Sequence, residues 1–121
     1  MTERKVLLAD DDDDLRSVLA EILADEGLRP VEAPDGTTAL AKLRACACDA
    51  AVLDQRMPGL TGADVLRRAR AEGIGTPTVL ITAAGDVASI AGDLGVRCFL
   101  GKPFSIETFV AAVRRALSNG C

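Results

Sequence analysis

Ala51-Val52-Leu53-Asp54-Gln55-Arg56-Met57-Pro58-Gly59-Leu60-Thr61-Gly62 decides how this chain folds. An apolar run stops abruptly at a carboxylate, and a Met-Pro-Gly loop follows. Ala51 to Leu53 read as the end of a strand buried on both faces, as in a parallel sheet. Pro58 and Gly59 then forbid both strand and helix and force a turn. Asp54 is left at the C-terminal tip of a central strand, where open α/β sheets place their ligand sites. Alone, such an aspartate would more often end a strand or cap a turn. Three other strand tips change that reading.

On the N-terminal side, Lys5 to Ala9 is a short apolar run and reads as a first buried strand. It ends on five consecutive aspartates, Asp10 to Asp14. Asp12 to Asp14 suit the N-cap and first turn of a helix, where the helix dipole favours acids. Leu15, Val18, Leu19, Ile22 and Leu23 give that helix one apolar face, and Gly27 closes it. Asp10 and Asp11 stand at the strand tip, where adjacent like charges repel unless a cation joins them. Leu28 to Ala33 is a weak second strand, and its Arg29, Pro30 and Glu32 suit a sheet edge. A second helix is predicted over Thr37 to Ala45, with Ala39, Leu40 and Leu43 inward. The third strand, from about Asp49, delivers Asp54.

Beyond the loop, Thr61 or Gly62 starts a third helix that ends near Glu72-Gly73, with Val65, Leu66 and Ala69 inward. Thr78 to Ile81 read as a fourth strand ending on Thr82. A short fourth helix, Asp86 to about Leu94, contains Gly92 and is the least regular element. Val96 to Leu100 form a fifth strand, followed by Gly101-Lys102-Pro103-Phe104. The last helix runs from about Ser105 to Ser118, with Ile106, Phe109, Val110, Val113 and Leu117 inward. Strand and helix alternate without linker or repeat across one domain, its core at about residues 4–118. The fold class is therefore α/β: a doubly wound, five-stranded parallel sheet of (βα)5, flavodoxin-like topology between two helical layers. Placing the polar second strand at an edge gives the order 2-1-3-4-5, with strands 1 and 3 adjacent.

The chain has 121 residues, 18 acids against 14 bases and a net charge of −4, with no basic stretch. Direct binding to nucleic acid or to an anionic membrane is not expected. No apolar run is long enough to span a membrane, and Met1 to Lys5 lack a signal-peptide core, so a cytoplasmic location is expected. Cys46, Cys48, Cys98 and Cys121, with no histidine, make a poor zinc frame and read as free, partly buried thiols. Without Trp or Tyr, no aromatic platform for single-stranded nucleic acid exists.

Each strand except the edge one thus ends in a polar group at one rim: Asp10 and Asp11, Asp54, Thr82 and Lys102. Three converging carboxylates want a hard cation, and oxygen ligands suit Mg²⁺ or Mn²⁺. A carboxylate beside such an ion can attack phosphorus and become an aspartyl phosphate. Lys102 and Thr82 are placed to neutralise and hydrogen-bond phosphoryl oxygens.

Asp10-Asp11, Asp54-X-X-Met57-Pro58-X-X-X-Gly62, Thr82-Ala83 and Lys102-Pro103-Phe104 resemble the receiver domain of bacterial two-component response regulators over essentially the whole chain. The resemblance implies a signalling switch that takes a phosphoryl group from a sensor histidine kinase or phosphotransfer protein, and is not a metabolic enzyme. Asp54 would be the phosphoacceptor. Asp11, Asp54 and the backbone carbonyl of Arg56 would ligate Mg²⁺, with Asp10 acting mainly through water. Lys102 would pair with the phosphoryl group through a cis Lys102-Pro103 peptide. Thr82 and Phe99 would be the switch residues. The predicted fourth helix, fifth strand and last helix would form a surface that changes on activation to control a partner or fused output domain.

Some positions depart from the family pattern. The interval from Thr82 to Lys102 is slightly short, so the fourth helix and output face would be altered. Phe99 lacks the hydroxyl of the frequent Tyr. Arg56 and Ala84 suggest slow loss of phosphate, while Phe104 and Met57 read as packing. A phosphate-independent interaction module is the main alternative. A magnesium phosphohydrolase would need a second acid where Arg56 stands, and a flavin protein would need a phosphate cradle where Asp10 to Asp14 stand. Whether phosphorylation drives formation of a homodimer is left open by the sequence.

Overall fold

The structure, a computed structural model, describes residues 3–45, 47–83, 95–96 and 98–118. Its elements alternate as β1 (Lys5–Ala9), α1 (Asp13–Asp25), β2 (Arg29–Ala33), α2 (Gly36–Ala45), β3 (Ala50–Asp54), α3 (Gly62–Ala71), β4 (Thr78–Ala83), β5 (Cys98–Lys102) and α4 (Ile106–Leu117). The helix expected over residues 86–94 lies outside the described residues, as do Cys46, Ala84 and Cys121.

All strand pairs are parallel, and the sheet order is β2-β1-β3-β4-β5. The edge position of β2 follows from its sequence: Arg29 and Glu32 are exposed, whereas β3 is buried at every residue. Strand alternation divides the interior into two cores. Leu7, Ala51, Leu53 and Leu80 meet Leu40, Leu43, Val65 and Leu66 of α2 and α3. On the other face, Val6, Leu8, Val52, Val79, Ile81 and Leu100 meet Leu19 and Leu23 of α1 and Phe109 and Val113 of α4.

Local chemistry sets the helix ends. Asp12 accepts from the Leu15 N–H at 3.1 Å, and Ser105 accepts from Thr108 N–H at 3.1 Å. Thr61 and Asp64 form a reciprocal capping box at the start of α3. Gly27, at φ +80°, lets the chain leave α1 while Gly27 N–H and Leu28 N–H close on Ala24 and Leu23 carbonyls.

Four sequence expectations need correction. β5 begins at Cys98 and runs on to Lys102, because Gly101 and Lys102 still pair with Thr82 and Ala83. Val18 is 51% exposed and Ile106 58% exposed. Both lie at the margin of their helical stripes, and Ala20 and Ala116 take inward places instead. Cys98 is disulfide-bonded rather than a free thiol.

Candidate functional site

The C-terminal ends of β1, β3 and β5 meet at one rim. Lys102 Nζ donates to Asp54 Oδ2 at 2.8 Å and lies 3.7 Å from Asp10 Oδ2. Carboxylate oxygens of Asp10, Asp11 and Asp54 all lie within 4.8 Å of one another. Asp10 and Asp54 are buried, while Asp11 is exposed. The run of aspartates therefore divides by task. Asp10 accepts from Asp12 N–H at 2.9 Å, Asp12 caps α1, and Asp13 pairs with Arg16 at 2.7 Å.

Burial raises the Asp10 carboxyl to about 6, opposed by the Asp12 N–H and reinforced by the charge on Asp54. Burial acts to lower Lys102, but its hydrogen bond to Asp54 and the fields of Asp54, Asp10 and Asp11 outweigh it and hold the ammonium raised. Asp10 Oδ2 is buried without a hydrogen-bond partner among the described residues. A buried carboxylate oxygen left so, facing two further acids, fits a hard divalent cation, and these three residues would hold it.

The loop after Asp54 is tied down at both ends. Gln55 N–H donates to the Ile81 carbonyl at 2.7 Å, and the Gln55 side-chain oxygen accepts from Ala63 N–H at 2.8 Å. Gly62 N–H reaches the Gln55 carbonyl at 3.2 Å. Arg56 is exposed, and its N–H points to Asp54 Oδ1 at 3.3 Å. Met57 is buried in the core with Leu53, as its packing role required. Thr82 is buried at the end of β4, and among the described residues no hydrogen bond joins it to Asp54 or Lys102. Phe99 is 43% exposed, so its ring is not core. Phe104 is half-buried and stacks on Phe109 with centroids 5.9 Å apart. The Lys102-Pro103 peptide is cis.

The profile described as "Response regulator receiver domain" matches residues 6–114. The chain belongs to that family. This receiver domain is 32% identical over 117 residues to "Sensory transduction protein RegX3" of Mycolicibacterium smegmatis, covering 95% of the chain and 51% of that protein. It is 36% identical over 116 residues to "DNA-binding response regulator MtrA" of Mycobacterium leprae, covering 94% and 51% respectively. The chain thus spans about half the length of these curated relatives. Among solved structures, the receiver domain of Francisella response regulator 1452 superposes with a TM-score of 0.89 at 28% identity, covering 98% of this chain and all of that one.

Two supporting residues of the receiver site escaped the sequence reading. Nothing in the spacing marks Gln55 as a second acceptor at the start of α3. Arg16 carried a weak signal: it is the first base after the five aspartates.

Proposed function

We propose that this receiver domain is a phosphoacceptor switch, with Asp54 as the residue modified. The observation that carries the reading is the Asp54 carboxylate, buried at the rim, paired with Lys102 at 2.8 Å and faced by Asp10 and Asp11. An Asp54 oxygen attacks the phosphorus of a donor phosphohistidine. The O–P bond forms as the P–N bond breaks, and the imidazole nitrogen leaves with the electron pair and takes up a proton. Lys102 releases Asp54 and pairs with the arriving phosphoryl oxygens, holding its charge throughout. Asp11, Asp54 and the Arg56 carbonyl, with Asp10 mainly through water, would hold Mg²⁺, which when bound would supply charge neutralisation for the same oxygens. Thr82 offers a hydroxyl once it turns toward the rim, and Phe99 responds on the neighbouring face.

The chain modifies itself and turns over no small metabolite. Its donor is a sensor histidine kinase or phosphotransfer protein in the cytoplasm, and its output is a partner or a fused domain. The relative MtrA is described as DNA-binding. The net charge of −4 here argues that any DNA contact belongs to another part of such a protein. Among the described residues no helix is long and apolar enough to cross a membrane.

Intact-protein mass spectrometry after incubation with acetyl phosphate tests this. Wild type is expected to gain one phosphoryl group only with Mg²⁺, and Asp54→Asn none. An unmodified wild type under every condition would leave a phosphate-independent module as the better reading.

A further inference from the structure

Arg16 lies on the first turns of α1, and its side chain is only 14% exposed. Its guanidinium spans three elements. Nη1 donates to the backbone carbonyl of Asp10 at 2.7 Å, at the very tip of β1. Nη2 pairs with Asp13 at 2.7 Å, in the first turn of α1. Nε donates to Glu32 at 3.2 Å, on the edge strand β2. Glu32 is itself anchored, because Lys42 of α2 donates to its backbone carbonyl at 2.8 Å.

The Asp10 carbonyl belongs to the peptide plane that joins Asp10 to Asp11. Holding that oxygen restrains the plane, and with it the positions of the Asp11 N and Cα from which its side chain departs. Asp10 has its own second tether, the Asp12 N–H. The exposed Asp11 has no hydrogen bond among the described residues that would orient its carboxylate toward Asp10 and Asp54. The Arg16 arm is therefore a side-chain contact that restrains the backbone from which Asp11 departs. The same guanidinium places a permanent positive charge behind the aspartate run. It reaches to Glu32 on β2, whereas Lys102 pairs with Asp54 on β3, the other neighbour of β1.

We infer that Arg16 is a positioning residue for the cation corner of this domain, acting through the Asp10-Asp11 peptide rather than touching the ion. The inference rests on the reading that Asp10, Asp11 and Asp54 hold Mg²⁺. A planar fork with five donors suits three diverging acceptors, and a lysine ammonium at the same place does not. Supporting contacts of this kind typically hold about ten- to a hundredfold in metal affinity.

The test is Mg²⁺ titration by calorimetry of wild type, Arg16→Lys and Arg114→Lys, with thermal unfolding recorded with and without the ion. Arg114 pairs with Glu26 at the other end of α1, 2.9 Å away, and serves as the control. Arg16→Lys is expected to bind about tenfold more weakly and to lose most of the rise in Tm that Mg²⁺ gives wild type. Arg114→Lys should keep both. A merely structural Arg16 would lower Tm equally with and without the ion and leave the affinity within about twofold, and that result would overturn the inference. If Arg16→Lys does not fold, Glu32→Ala removes one arm from the exposed edge. It should weaken binding severalfold, and unchanged affinity there would overturn the inference equally. Wild type that binds no Mg²⁺ defeats the reading of the acidic corner itself, a separate outcome.

Discussion

Lys102 Nζ sits between two acids on neighbouring tips, 2.8 Å from Asp54 and 3.7 Å from Asp10, and only the nearer bond is a hydrogen bond. One ammonium thus serves two buried carboxylates unequally. Asp10 Oδ2 has that ion pair but no hydrogen-bond partner among the described residues.

Burial of Asp10, only partly offset by the Asp12 N–H and Lys102, predicts a pH dependence. Asp10 titrates near 3.8 when unfolded and about 6 when folded. Between these values the folded chain holds a proton that the unfolded chain has released. Asp10 therefore contributes less to stability as pH rises from about 4 to about 6, and its cost is full above that. Asp10→Asn should match wild type near pH 4 and exceed it at pH 7.5 by on the order of 2–3 kcal/mol. Urea unfolding in chelator at the two pH values measures it. Parallel curves would remove Asp10 as the cause.

Replacing Lys102 should have opposite effects on stability and on cation binding. Lys102→Met leaves Asp54 and Asp10 facing each other without a cation. With Lys102 about a third exposed, solvent screening holds the loss to about 1 kcal/mol at neutral pH. The same variant should bind Mg²⁺ several-fold more tightly, because the competing charge is gone. Weaker binding in calorimetry would contradict this account of the rim.

Gly62 has no room for a methyl group. A Cβ there would meet the Asp54 carbonyl oxygen at 2.6 Å and Leu80 Cδ1 at 3.0 Å, and the nearer atom is backbone. Gly62→Ala should cost about 1–3 kcal/mol. Gly75→Ala, with nothing within 4 Å, is the control and should be close to neutral. Equal denaturation midpoints for the two would refute the close approach.

On α4, Phe109 and Ile106 are both large and apolar, yet only Phe109 is buried. Phe109→Ala should cost about 3–5 kcal/mol. Ile106→Ala should stay within about 0.5 kcal/mol of wild type. Similar losses at the two positions, read from chemical denaturation, would mean that the helix is rotated from the orientation described.

Much of this was legible because the apolar patterns have different periods in strands and helices. The order of the sheet followed from Arg29, Pro30 and Glu32 marking an edge, and Asp54 from the loop that stops its strand. Margins were less legible. A helical stripe predicts its centre well, but Val18 and Ile106 stand where the stripe meets solvent, and the neighbouring helix decides their burial. The end of β5 was hidden because Gly101 and Pro103 read as loop, while pairing with Thr82 and Ala83 carries the strand on through Lys102. Arg16 and Gln55 act through contacts that only the folded backbone brings together, not through a repeat, so no pattern announces them.

Asp54 pairs in register with Ile81, and Lys102 follows Leu100 at the strand period, so both side chains leave on the α1 and α4 face. Thr82 alternates to the opposite face, in step with Leu80 and the α2 and α3 core. The sheet is thus a partition with the Asp54–Lys102 ion pair in one room and the Thr82 hydroxyl in the other. For the two to meet, one of them has to reach over the rim where β3 and β4 end.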